Sequence, residues 1–256
     1  MAGHTTAPGT TVSARVLGLL SAFDERHRTM TLTELAVRAD LPLSTAHRLV
    51  GELVAWGGLV RRDDGRYAVG PRLWDLGLLA PLQTGLRQVA SPFLHDVYAA
   101  TLATVHLAVR DGHEVLYLER LAGRSSVPIV STVGSRLPLH CTGVGKVLLA
   151  FASDSTQRAV LAAPLRRVTR HTVTSPRRLA DQLARVRTDG WASTVEEMSL
   201  GACSVAVPVR RDERVVASVG IVVPSLRRHR PRLVAALQVA ARGIERSLTT
   251  GAPVGR

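Results

Sequence analysis

The chain has 256 residues, of which 46% are hydrophobic and 21% charged, and its formal net charge is +13. This balance describes a globular, foldable chain of one large or two ordinary domains. No apolar run approaches the ~18 residues needed to span a bilayer, which excludes a membrane-spanning helix. The opening Met-Ala-Gly-His-Thr-Thr has no basic region followed by an apolar core, so no secretory signal and a cytoplasmic location are expected. Cys141 and Cys203 lie far apart in sequence and read as thiols in a reducing compartment. The positive charge invites a nucleic-acid reading, but residues 1–80 hold nine arginines against eight acidic residues and are nearly neutral, leaving +12 on the rest. Net charge therefore raises non-specific affinity for DNA without locating a site.

Residues 1–11 are small and polar and read as a disordered tail. A helix is predicted from Val12, with Ser13 as cap and Val16, Leu17, Leu20 and Phe23 as its apolar face. Arg15 near its start is either a phosphate contact or a solvated side chain. A second short helix follows, capped by Thr31 or Thr33, with Leu32, Leu35 and Ala36 inward. Asp40-Leu41-Pro42 ends it. A third helix is predicted from a Ser44 cap, burying Ala46, Leu49, Val50 and Leu53 and exposing Ser44, Thr45, His47, Arg48 and Glu52. Two β-like runs, 59–61 and 66–69, flank Asp64-Gly65, a strong hairpin signal.

Helix, turn, helix and hairpin in this order make a winged helix, expected over residues 12–70, whose third helix enters a major groove by its amino end. Arg48 can reach a guanine edge bidentately. Thr33, Ser44, Thr45 and His47 are short or polar groups placed for phosphates and base edges, and Arg61, Arg62 and Arg66 lie on the wing. The bland alternative is a small helical packing module with a solvated polar face.

Residues 71–85 are read as a linker helix and 86–250 as a second domain. Leu86, Val89, Ala90, Phe93, Leu94, Val97 and Tyr98 recur at helical spacing, with Pro92 expected to kink that helix or shift its start. Val105, Leu107 and Val109 alternate with His106, Ala108 and Arg110 up to an Asp111-Gly112 turn, and 114–121 completes a hairpin. A third strand is predicted at 127–133 and a loop at 134–140. Helices follow near 142–151, 155–163 and 176–189, the last with Pro176 in its first turn and Gly190 past its end. Strands at 191–195, 203–209 and 214–223 precede a final helix at 231–248. The predicted class is α+β: one antiparallel sheet with helices packed on it.

The chain resembles the IclR family of transcriptional regulators over almost its full length. The first half carries Leu32-Thr33-Glu34-Leu35-Ala36, Leu41-Pro42, Ser44-Thr45-Ala46-His47-Arg48-Leu49 and Gly65-Arg66-Tyr67 with Gly70. The second half carries residues 134–140 (Gly-Ser-Arg-Leu-Pro-Leu-His), Thr142, Gly145-Lys146, Gly190-Trp191-Ala192, Glu196-Glu197, Gly201 and Val205-Ala206-Val207-Pro208-Val209. The resemblance implies a winged helix-turn-helix domain joined by a linker helix to a GAF-like effector domain. It implies a homodimer or dimer of dimers on a near-palindromic DNA operator, repressing or activating a catabolic or metabolic operon under control of a small-molecule effector; of the two signs, repression is the one expected here. It places the effector pocket at Leu137, Gly143, Val144, Thr194, Cys203 and Ser204. Exposed amides at the start of the 142–151 helix suit a carboxylate, so an organic acid is expected; the alternative is that its glycines only permit tight packing. Two departures stand out. The family usually has Gly and Lys where this chain has Asp40 and Leu43. Asp tolerates the turn, while Leu43 removes a phosphate contact and lowers the salt slope by about one unit.

Other chemistry is not supported. Gly145-Lys146 lacks the earlier glycine and the following Ser or Thr of a phosphate-binding loop, and Gly143-Val144-Gly145 lacks the third glycine of a dinucleotide fingerprint. His140, Cys141 and Cys203 form a poor zinc set, and Lys146 reads as a salt-bridging group to Glu196 or Glu197 rather than a catalytic amine. No cofactor, metal or catalytic residue is expected, and the protein is not expected to be an enzyme.

Overall fold

The computed structural model of the chain describes residues 11–24, 26–78, 81–123, 127, 130–227 and 229–250. The expected tail at 1–11 falls almost wholly outside the described residues. The chain divides into two compact units between Pro81 and Leu82.

The first unit begins with α1 (Val12–Ser21). Thr11 caps it, its hydroxyl accepting the Ala14 amide at 3.1 Å, and Ser13, the expected cap, lies within the helix. Leu19 is fully buried, with Val16, Leu20 and Phe23 packed beside it. Leu17, expected on this face, is 62% exposed, because residues 16, 19, 20 and 23 form the stripe at helical spacing and 17 falls outside it. After β1 (Thr29–Met30), α2 (Leu32–Arg38) opens with a reciprocal cap: Glu34 N–H donates to Thr31 Oγ1 at 3.2 Å and Thr31 N–H to Glu34 Oε2 at 2.7 Å. The chain turns at Asp40, whose φ of 52° is the left-handed region that Asp tolerates.

The next helix, α3 (Leu43–Trp56), starts one residue earlier than predicted. Pro42 holds the N-cap position and offers no side-chain bond, so Ser44 is an exposed first-turn residue rather than a cap. Ala46, Leu49, Val50 and Leu53 are buried as expected. The wing is β2 (Leu59–Arg61) and β3 (Tyr67–Val69), with Arg62 N–H donating to the Arg66 carbonyl at 2.8 Å across the turn. The other edge of β3 pairs with β1, giving a three-stranded antiparallel sheet in the order β1-β3-β2. Two residues are too few to show alternation, which is why β1 was not anticipated. Helix α4 (Pro71–Leu78) follows; its expected continuation through Leu79 and Ala80 lies outside the described residues.

The second unit starts with α5 (Pro81–Thr101), which runs through Pro92. Its proline-first start suits the fixed φ of that residue. The sheet comprises β4 (Thr104–Asp111), β5 (Glu114–Leu121), β6 (Arg136–Pro138), β7 (Ala192–Val195), β8 (Cys203–Arg211) and β9 (Arg214–Val223). They form one antiparallel sheet in the order β6-β5-β4-β9-β8-β7. The strand predicted at 127–133 is not found at the described residues 130–133; the pairing passes instead to β6. One face of the sheet, including Val105, Leu107, Val207 and Val219, packs on α5 and on α9 (Arg230–Thr250). The other, including Ala108, Tyr117 and Ala206, packs on α6 (Gly143–Ala150) and α8 (Pro176–Asp189), with Val160 of α7 (Asp154–Ala162) in the same cluster.

Candidate functional site

Two places in the molecule concentrate chemistry. The first is the amino end of α3. Because Ala46 N–H is the first to bond back into the helix, to Pro42, the amides ahead of it are free to face an anion. Ser44, His47 and Arg48 are exposed around that end, and Thr45 is half-buried. Arg48 is held by an exposed ion pair to Glu52 one turn on, a contact weak enough for a base edge to displace. Thr33 is exposed at the start of α2, and Arg61 and Arg62 are exposed on the wing. Arg66 behaves differently from the reading of the sequence: its guanidinium folds back to the Glu34 carboxylate at 2.8 Å and the Thr29 carbonyl at 3.0 Å. It fastens the wing to α2 and β1 instead of standing free. The Thr31 amide foremost, and then the Thr31 hydroxyl and the Arg66 guanidinium, hold the Glu34 carboxyl below its ordinary range.

The second place is a cavity between the sheet and α6, with about 490 Å³ free of protein atoms including its open mouth. Leu137, Gly143, Val144, Thr194 and Ser204, five of the six residues named from the sequence, line it. Cys203, the sixth, does not: its thiol is directed at the Pro224 carbonyl, 3.7 Å away. The reason is the two-residue period of a strand, in which neighbours point to opposite faces. Thr142 caps α6, its hydroxyl accepting the Gly145 amide at 3.1 Å. That leaves the first amides of α6 at the cavity, beside the Thr194 and Ser204 hydroxyls, which bond each other at 2.6 Å. Gly143 leaves room for the Ser204 hydroxyl, which an added Cβ, 2.5 Å from its Oγ, would force to turn. Gly220, on the floor, lets Val144 close down on the sheet, since a Cβ there would meet Val144 Cγ1 at 2.8 Å.

His106, Tyr117 and Ser131 also line the cavity and were not singled out from the sequence. His106 Nε2 lies 3.0 Å from Ser131 Oγ, and its ring stands edge-on to Tyr117 with centroids 4.9 Å apart. Burial, with Arg120 adding, pushes the imidazole down to about 3, so it is neutral at ordinary pH. Burial likewise raises the Tyr117 hydroxyl above its usual range. The available signal was the polar phase of β4 (Thr104, His106, Arg110), which reads as a solvent face when nothing shows that a helix covers it.

Lys146 is 1% exposed and its ammonium meets the Glu197 carboxylate, one of the two partners anticipated. Burial lowers its pKa against the pull of Glu197. His140 Nε2 lies 3.0 Å from the Arg166 carbonyl, and the Cys141 thiol donates to Met198 sulfur at 3.5 Å. Burial raises Cys141 to about 12, so it carries no thiolate for nucleophilic work. Among the described residues no three His, Cys, Asp or Glu side chains gather as a metal site.

Both units of the chain have counterparts in known proteins. Residues 13–64 match the IclR helix-turn-helix domain and residues 81–246 the bacterial transcriptional regulator IclR C-terminal family. The HTH-type transcriptional regulator XynR of Escherichia coli is 31% identical over 210 residues, covering 81% of this chain and 83% of that protein. The probable transcriptional regulator SauR of Cupriavidus necator is 33% identical over 218 residues, covering 83% and 84%. Among solved structures, an IclR homolog from Microbacterium hydrocarbonoxydans complexed with 4-hydroxybenzoate superposes with a TM-score of 0.91 at 37% identity, covering 94% of this chain and all of that one. With both domains matched in order, the chain belongs to the IclR family of bacterial transcriptional regulators.

Proposed function

We propose that this regulator represses a catabolic or metabolic operon in the cytoplasm, and that a small organic acid bound in the cavity beneath α6 controls it. In this reading α3 enters the major groove, with Ser44, Thr45, His47 and Arg48 at its amino end, Thr33 on a phosphate, and Arg61 and Arg62 on the wing alongside. Arg66 contributes by holding the wing in place. A homodimer or dimer of dimers reads a near-palindrome; the exposed Leu17, Trp74 and Leu76 of the first unit supply apolar surface for a second copy. No helix among the described residues is long and apolar enough to cross a membrane.

The observation that carries the effector half is the convergence of α6 amides with the Thr194 and Ser204 hydroxyls on an otherwise largely apolar cavity. A carboxylate suits that end through charge-assisted bonds, and the Microbacterium relative is complexed with an acid, 4-hydroxybenzoate. The protein acts by binding, not turnover: the acid shifts operator affinity through its different affinity for two conformations of the protein, without touching DNA.

Selection of a random duplex library by purified protein, beside Arg48→Ala, tests the first half. Wild type enriches a near-palindrome and the variant loses about 1–3 kcal/mol of discrimination at one base pair. Repeating the selection with 4-hydroxybenzoate tests the second half through release of the enriched operator. Equal enrichment by Arg48→Ala sinks the α3 assignment.

A further inference from the structure

The Ser204 end of the cavity accounts for one pole of a ligand, and the opposite end is also built from polar groups. Strand register shows how. On the cavity face of the sheet His106 stands opposite Gly220 on β9, Thr104 stands opposite Val222, and Val222 stands opposite Ser204 on β8. The floor from Ser204 to His106 therefore crosses two strand spacings and runs two residues along the strand, ~12 Å. That span holds one six-membered ring between two hydrogen-bonded ends.

His106 is fixed from two sides, by Ser131 and by Tyr117. A neutral imidazole engaged on one nitrogen keeps a second nitrogen able to bond a ligand. Two further polar groups share its row or the adjoining one. Arg120 stands directly opposite His106 on β5, and its buried Nε–H has no hydrogen-bond partner; among the described residues no carboxylate pairs with it. Thr104, fully buried two residues before His106, has a hydroxyl with no partner. Neither orphan lines the cavity; they make the surround of the imidazole polar, and His106, Tyr117 and Ser131 are the groups that reach the cavity at this end.

We propose that this end is a second recognition pole, at which His106 hydrogen-bonds a hydroxyl on the part of the effector remote from its carboxylate. The proposal rests on the acid-effector reading above and narrows it to hydroxy acids, with a ring-borne, phenol-type hydroxyl favoured. A hydroxyl both donates and accepts, as do imidazole and threonine. The Arg120 cation behind His106 favours the partial negative charge of a phenolic oxygen. Ser131 is a positioning residue that orients the ring.

Calorimetric titration of the full chain with benzoate, 4-hydroxybenzoate and terephthalate separates the possibilities. Wild type is expected to bind 4-hydroxybenzoate at least about tenfold more tightly than benzoate, with terephthalate weaker than 4-hydroxybenzoate. In His106→Leu the ratio falls to within about twofold, and His106→Gln, which keeps a donor and an acceptor, retains part of it. The ratio is the readout, so a general loss of affinity does not imitate the result. Should His106→Leu not fold, His106→Gln and Ser131→Ala decide, each expected to lower the ratio. Benzoate binding as tightly as 4-hydroxybenzoate, terephthalate binding tightest, or a ratio surviving in His106→Leu or unmoved in the other two overturns the pole alone. Binding of none of the three overturns the acid-effector reading and the pole with it.

Discussion

Helices α3 and α6 are each the working element of their unit, and they are built on opposite plans. The 14 residues of α3 bury one stripe and leave Ser44, His47, Arg48, Gly51 and Glu52 in solvent. All eight residues of α6 are buried, including a lysine. The first presents side chains and can change its exposed face without unfolding. The second presents the backbone at its amino end, so every side chain on it serves packing. Recognition by side chains leaves a helix tolerant of substitution; recognition by a buried helix end does not.

That contrast breaks most visibly at Lys146. Replacing it with Met leaves Glu197 buried and unpaired, and urea unfolding should show a loss of about 3–5 kcal/mol. Adding Glu197→Gln should recover much of it; a single variant as stable as wild type would mean that the pair is not buried in solution. A smaller effect is expected at Gly145, where an added Cβ would lie 2.4 Å from the Leu139 carbonyl oxygen. Gly145→Ala forces backbone to move and should cost about 1–3 kcal/mol, read as a lower urea midpoint at constant slope. The same change in α3 reverses sign. Gly51 is exposed and nothing lies within 4 Å of its Cβ position, so Gly51→Ala should stabilise by about 0.5–1 kcal/mol through helix propensity. If the two glycine variants shifted the midpoint in the same direction, the distinction between the helices would fail.

Much of the fold was legible because its signals are local. The α3 stripe, the Asp64-Gly65 turn, the Pro176 start and Gly190 end of α8, and five of the six strands of the large sheet follow from periodicity and turn chemistry. The errors are local too and have single causes. Ser44 resembled a cap, yet the chain is already helical at Leu43. The strand expected at 127–133 gave way to Arg136–Pro138, which pairs with β5 between Glu114 and Leu116, a choice made by the partner strand. Cys203 drops out beside Ser204 because neighbouring side chains of one strand point to opposite faces and its thiol turns to the Pro224 carbonyl.

What the sequence by itself determined is the order of elements, the side of each helix that turns inward, and the family to which both halves belong. Each of these depends on residues a few positions apart or on motifs read in order. Only the tertiary structure decided that α6 covers the polar phase of β4, turning His106 from an apparent solvent face into cavity wall beside Tyr117. It also chose Glu197 over Glu196 as the partner of Lys146 and buried the pair, and it folded Arg66 back onto Glu34 across 32 positions. Periodicity tells which side chains share a face, but what covers that face is set by chain segments far away in sequence, and burial is what fixes the charge state and partners of the groups beneath.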